Sequence, residues 1–187
     1  MSTRSSPGSS AALERARAFA PVAGPGTRLL VLGSLPGAAS LRAGQYYAHP
    51  QNGFWRLIGT AIGRDIAALP YPDRLAALAV AGVGLWDVVA SAERPGSADA
   101  AIRNPEHADL ERLVAGLPAL RAVGFNGGTA ARLGRRRLGA HARRLVLVDL
   151  PSSSPAYAAM PFEAKRAAWA GLAAFLRDGR CDPPGTC

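Results

Sequence analysis

The chain has 187 residues, 49% of them hydrophobic and 19% charged, which suits one globular domain with a single core. Twenty-two Lys and Arg against thirteen Asp and Glu leave a formal charge of +9, and Lys165 is the only lysine, so the excess is carried by guanidinium groups and points to a polyanionic partner such as DNA or RNA. No apolar run approaches the ~20 residues of a bilayer-spanning helix. Two cysteines, Cys181 and Cys187, with no histidine near them, cannot build a four-ligand zinc or iron–sulfur site.

Residues 1–10 are short, polar and serine-rich without an apolar centre. They read as a disordered lead rather than a secretory signal, and a cytoplasmic setting, in a bacterial cytosol or nucleoid, is expected. A single domain follows over residues 11–178, with a loose tail at 179–187. Ala11 to Phe19 is a helical candidate closed by Pro21. Arg28 to Leu32 is a compact apolar run stopping at Gly33, as a buried parallel strand would. Phe54–Ile62 and Pro72–Val80 read as helices and Val83–Val89 as a second strand. After a polar loop, Glu106–Leu117 reads as an amphipathic helix and Arg121–Phe125 as a third strand. Thr129–Leu138 is a basic helix, Leu145–Leu150 a fourth strand, and Phe162–Leu176 the last helix.

Strands alternating with helices predict an α/β fold: one three-layer α/β/α domain around a mostly parallel four-stranded sheet. Ligands in such sheets bind where strand C-termini meet their loops. The loops after the first, third and fourth strands are GSLPGAAS, NGG and PSSSPAYA, all rich in small or amide residues, and they are expected to converge on one edge.

Gly33-Ser34-Leu35-Pro36-Gly37 alone is a generic turn, and it lacks the Gly-Lys-Ser/Thr ending of a phosphate-binding loop. Its continuation, Gln45-Tyr46-Tyr47-Ala48-His49-Pro50-Gln51-Asn52-Gly53-Phe54-Trp55, packs amide, imidazole and aromatic groups ahead of a helix. A nucleobase held outside a duplex needs an aromatic face to stack on and an amide to read its edge, and Asn both donates and accepts. Tyr47 and Asn52 fit those needs. Phe54 and Trp55 fit a core role at a helix start, where Asn52 would equally serve as the cap.

GSLPG, QYYAHPQNGFW and LPSSSPAYA together resemble the two signature motifs of the uracil-DNA glycosylase superfamily. The QYYAHP form and the serine run are most similar to its hypoxanthine-DNA glycosylase branch. GLWDVVASAERPGSADAAI, VGFNGGTAAR and FEAKRAAW extend the likeness over Arg28 to Leu176.

The resemblance implies a metal-free, cofactor-free glycosylase that removes a deaminated base, hypoxanthine foremost, from damaged DNA. It implies Asn52 and Asn126 as the catalytic amides, and Tyr47, Gly33, Ser34, Leu35 and His49 around the base. Where related sequences hold a water-positioning Asn, this chain has Leu35, and Gly33 to Ser40 contains no acidic residue, which speaks against uracil or mismatched thymine as the main substrate. A lesion-binding protein without turnover is the alternative from another class. Ser152, Ser153 and Ser154 are expected to grip phosphates. Tyr157 would either wedge into the gap left by the base or simply pack. The basic run Arg132, Arg135, Arg136, Arg137, Arg143 and Arg144 adds candidate phosphate contacts, with Arg135 and Arg136 foremost. Lys165 is expected to lie away from the three loops, so no Schiff base forms and simple hydrolysis leaves an abasic site. A monomer is expected.

Overall fold

The computed structural model describes residues 15–177. The lead at 1–10, the first residues of the expected Ala11–Phe19 helix, and the tail with Cys181 and Cys187 lie outside the described residues.

Among the described residues seven strands and seven α-helices follow one another: β1 (Arg15–Arg17), β2 (Leu29–Gly33), α1 (Ala38–Ala43), α2 (Phe54–Ile62), α3 (Tyr71–Ala81), β3 (Val83–Asp87), β4 (Val89–Glu93), β5 (Arg103–His107), α4 (Leu110–Ala115), β6 (Ala122–Asn126), α5 (Gly128–Arg135), β7 (Val146–Leu150), α6 (Phe162–Ala170) and α7 (Ala173–Leu176). Short 3₁₀ turns occupy Asp99–Ala101 and Gly139–Arg143.

Four strands form one all-parallel sheet in the order β3-β2-β6-β7. Every residue of β2 is buried, as a central strand covered on both faces requires. Alternation divides its side chains: Leu29 and Val31 enter one core with Phe54, Leu57, Ile58 and Trp169, while Leu30 and Leu32 enter a second with Val114, Phe125 and Ala130. The two cores are the spaces between the sheet and its two helical layers. That is the three-layer α/β/α arrangement expected. From β2 the chain steps outward to β3, then crosses to β6 on the other side, so the strand order reverses between β2 and β6. An open parallel sheet splays its loops apart at such a switch point and leaves a crevice there.

α2 occupies the span expected, because its apolar residues recur at helical spacing: Phe54, Trp55, Leu57, Ile58 and Ala61 are all buried. Phe54, Leu57 and Ile58, fully buried, each contribute about 1.5–3 kcal/mol of transfer free energy.

Other expectations are corrected. Arg15–Arg17 is a strand, paired antiparallel with Ser91–Glu93, not part of a helix. The apolar run Val83–Val89 is two strands, broken at Val88, whose amide bonds to the Gly33 carbonyl. Glu106 and His107 belong to β5, so the helix expected from Glu106 starts at Leu110, where Asp109 caps it by accepting from the Arg112 amide at 3.1 Å. The last helix is interrupted at Gly171 and Leu172. Finally, β1, β4 and β5 make a second, antiparallel sheet that the polar sequence of β5 did not suggest. Among the described residues no helix is long and apolar enough to cross a membrane.

Candidate active site

A cleft of about 600 Å³ opens at the switch point, and the three loops expected to converge all line it: Gly33–Gly37 after β2, Asn126–Thr129 after β6, and Ser152–Tyr157 after β7. Tyr46, Tyr47, His49 and Asn52 from the segment before α2 line it as well.

Tyr47 is placed by packing. Its ring lies on Phe54 with centroids 3.7 Å apart and planes 10° from parallel, and Phe54 in turn meets Trp169 edge-on at 5.6 Å. One face of the ring is therefore backed by the core, and the half-buried residue offers the other to the cleft. Its backbone has φ +53°, a left-handed value that is uncommon for a side chain this large and costs of order 1 kcal/mol or more. The strain is borne where the aromatic platform sits. The Tyr47 hydroxyl has no hydrogen bond of regular geometry, although the Asn126 amide is close enough to favour its ionised form slightly. Burial, reinforced by the Asp87 carboxyl, outweighs this and holds the phenol well above its ordinary range.

Asn52 sits in a turn closed by its own amide on the His49 carbonyl at 2.9 Å. The N-cap of α2 is Gly53 rather than Asn52, but the Asn52 Oδ1 still accepts from the Phe54 amide at 3.0 Å, one place ahead of the cap. That bond also orients the group: with the oxygen committed to the helix start, the Nδ2 donors are left for the cleft that Asn52 lines. His49 is exposed, and its Nδ1 accepts from the Gln51 amide at 3.2 Å, which steadies the same turn.

Asn126 ends β6 and is bonded twice to one residue. Its Oδ1 accepts from the Ser153 amide at 2.8 Å, and its Nδ2 donates to the Ser153 hydroxyl at 2.9 Å. Ser153 is 3% exposed, and its carbonyl accepts from the Gly53 amide at 3.0 Å, so one serine joins the Asn126 loop to the Asn52 turn. Trp169 holds the same loop from below, donating from Nε1 to the Pro151 carbonyl at 3.0 Å. Ser152 and Ser154 use their hydroxyl oxygens on the amides of Ser154 and Ala156, forming a serine ladder around the exit of β7. Tyr157 is 40% exposed at the rim.

The glycine loop is fastened from the second sheet. Arg94, beyond β4, is buried and donates to the carbonyls of Leu35 and Pro36. Asp99, in the 3₁₀ turn, accepts from the Ser34 hydroxyl at 2.6 Å, and the Ser97 hydroxyl accepts from the Ala38 amide at 2.9 Å. Leu35 is 6% exposed and contributes apolar wall.

Two acids that motif reading missed are thereby brought into the cleft, Asp87 and Asp99. Asp87 is the last residue of β3 and lies directly opposite Gly33 in the parallel ladder. A Cβ on Gly33 would stand 2.4 Å from its Oδ1 and 3.2 Å from the Tyr47 hydroxyl. Glycine is required there so that carboxyl and phenol can both close over the strand end. Asp87 is 4% exposed. Burial drives its carboxyl up to about 7, with Arg94 opposing and Asp99 assisting. Only the strand register brings Asp87 to Gly33. The available signal was its place at the C-terminal end of a strand beside β2.

Lys165 corrects another expectation. Its Nζ donates to the Tyr157 carbonyl at 2.6 Å and stands 4.9 Å from the Tyr157 ring centroid, so the only lysine is tied to the β7 loop rather than remote from it. It lines a smaller groove behind Asn52 instead of the main cleft. Arg135 and Arg136, at the C-terminal end of α5, do not line the cleft either. Arg135 pairs with Asp149 at 2.8 Å, while Arg136 is exposed.

Residues 21–173 match the family model described as Uracil DNA glycosylase superfamily. The chain is 45% identical over 109 residues to a hypoxanthine DNA glycosylase of Methanosarcina barkeri, which covers 58% of this chain and 69% of that one. It is 42% identical over 114 residues to a hypoxanthine DNA glycosylase of Methanosarcina acetivorans, covering 61% and 72%. Its fold superposes with a TM-score of 0.75 on the solution NMR structure of a Methanosarcina acetivorans protein put forward as a uracil DNA glycosylase, at 35% identity over 87% of this chain and 99% of that one.

Proposed function

The chain belongs to the uracil DNA glycosylase superfamily, and on that footing we propose that it removes hypoxanthine from deoxyinosine in DNA by hydrolysing the N-glycosidic bond. The single observation that carries the reading is the pairing, in one cleft, of a core-backed Tyr47 ring with an Asn52 amide whose donors face the cleft. A duplex hides the glycosidic carbon, so the nucleotide must swing out, and an aromatic platform repays part of the lost stacking. The base stacks on Tyr47. Asn52 donates to its polar edge, where negative charge grows as the bond to the sugar breaks, and fixed donors in a dry pocket stabilise that charge better than water does.

Asn126 acts chiefly by holding Ser153 in place. It has one amide hydrogen left after its bonds to that residue, enough to reach the base or the attacking water. Gly33, Ser34, Leu35 and His49 shape the wall around the base. The half-buried Ser152 and Ser154 of the serine ladder meet the phosphates beside the lesion, while Ser153, being buried, supports the others. Tyr157 at the rim fills the space vacated in the stack. Arg135 and Arg136 lie outside the cleft and would meet DNA only at a distance from the lesion. The working unit is a monomer in the cell's DNA-containing compartment.

The Lys165 amine is committed to the Tyr157 carbonyl and does not line the main cleft. Attack therefore comes from water, and the product is an intact abasic strand. The test uses end-labelled duplexes carrying one deoxyinosine or one deoxyuridine, with hot alkali to cut abasic sites. Strand cleavage at inosine, reduced about 100-fold or more in Asn52→Ala, is expected. Cleavage at uracil alone would move the substrate assignment. A borohydride-trapped adduct would overturn simple hydrolysis.

A further inference from the structure

The chemistry just described leaves one buried cleft group without a task. Asp87 has no partner for its Oδ2 among the described residues. A buried carboxyl normally finds a donor or a cation, because leaving it bare costs free energy. Arg94 is the neighbouring cation, yet it spends its NH1 and NH2 groups on the Leu35 and Pro36 carbonyls. Asp99 likewise spends Oδ1 on Ser34. The Asp87 carboxyl lies in the cleft wall, where its Oδ1 and the Tyr47 hydroxyl both face the bare Cα of Gly33, while its Oδ2 is buried without a partner among the described residues.

The geometry points to Asp87 as the acid that protonates the departing purine. This rests on the hypoxanthine reading: a purine stacked on Tyr47 extends its edge past the phenol end of the ring, where the Asp87 carboxyl stands. The step balances. The Asp87 O–H proton passes to N7 of the base, and the C1′–N9 bond breaks with its electron pair going to N9, so hypoxanthine leaves neutral. Water bonds to C1′ and releases a proton, which restores the Asp87 acid. Protonation removes the charge that a departing purine would otherwise carry, and a positioned acid of this kind typically contributes about 100-fold to 10,000-fold.

The protonation state suits the task. The titratable groups that interact with Asp87 are Tyr46 and Tyr47 from the segment before α2, Arg94 from beyond β4, and Asp99 from the 3₁₀ turn, while β2 meets it with Gly33. Their balance with burial leaves the carboxyl titrating at about 7, so a substantial share is protonated at neutral pH.

The test is single-turnover release of hypoxanthine from an inosine duplex between about pH 6 and pH 9, for wild type and Asp87→Asn. The wild-type rate is expected to fall about tenfold per pH unit above about pH 7. Asp87→Asn is expected to run about 100-fold slower at the acid end and to show no such fall, with duplex affinity kept. An Asp87→Asn protein with wild-type rate and slope would overturn the assignment. So would a wild-type profile that stays flat to the alkaline end, a result that needs no folded variant. Failure of the wild type to release hypoxanthine at any pH would overturn the substrate reading itself, a different and recognisable outcome.

Discussion

Gly33→Ala tests how tightly the cleft floor is built. The added Cβ would stand 2.4 Å from Asp87 Oδ1 and 3.2 Å from the Tyr47 hydroxyl. Carbon and oxygen in ordinary contact sit near 3.4 Å or beyond, so the carboxyl must retreat by about 1 Å, and overpacking of this kind costs about 1–3 kcal/mol. For a chain of this length, each kcal/mol lowers the melting temperature by about 2–4 °C, giving a fall of about 2–12 °C. The larger effect falls on chemistry: a group moved by about 1 Å can cost about 100-fold in rate. Thermal denaturation and single-turnover inosine cleavage on the same preparation measure both. If Gly33→Ala melts and cleaves as the wild type does, Gly33 is not the spacer that lets Asp87 and Tyr47 close over β2, and the described cleft floor is wrong.

Asn126→Ala strands the buried Ser153 amide and should cost about 1–3 kcal/mol in urea denaturation, whereas Asn126→Asp, which still accepts from that amide, should recover most of it; equal losses would refute the clamp. Asp87 makes stability depend on pH. Its folded value of about 7 lies above the ordinary 3.8, so between these the folded state keeps a proton that the unfolded chain releases, and stability falls as pH rises from about 4 to about 7. The full effect is at most about 4 kcal/mol. Asp87→Asn should therefore be the more stable protein at pH 8 and close to wild type at pH 4; parallel curves would exclude a buried acid. Lys165→Met removes the donor to the Tyr157 carbonyl while keeping an apolar stem, and is expected to weaken lesion-duplex binding about fivefold to tenfold in fluorescence anisotropy. Unchanged binding would free Tyr157 from that support.

Legibility in the sequence followed burial. β2, β6 and β7 are short apolar runs ending at loop residues, and α2 carries its apolar groups at helical spacing, so local pattern and tertiary environment agree. β1 does not carry its own signal: Arg15–Arg17 lies in a stretch of good helix formers and is a strand because β4 pairs with it. β5 is RNPEH, an exposed edge strand containing Pro105 and almost no apolar surface, which nothing in a linear pattern separates from a loop. The convergence of the three loops could be anticipated because the fold class places them at strand ends, and Tyr47 and Asn52 because the motif before α2 carries them. Asp87 and Asp99 could not, because their closeness to Gly33 and Ser34 depends on strand register and on a turn hung from the unforeseen second sheet. The tie between Lys165 and Tyr157 was invisible for the same reason: it joins a helix to a loop across a fold not yet known.

In the proposed reaction this cleft releases hypoxanthine from DNA with Asn52 as the essential donor. The most direct measurement is the free base itself, identified by mass after the enzyme has acted on an inosine duplex, for wild type and Asn52→Ala. Stoichiometric hypoxanthine from the wild type, slowed about 100-fold or more in the variant, is the expected result. Tight binding of the inosine duplex with no base released would contradict the account and leave a protein that recognises the lesion without repairing it.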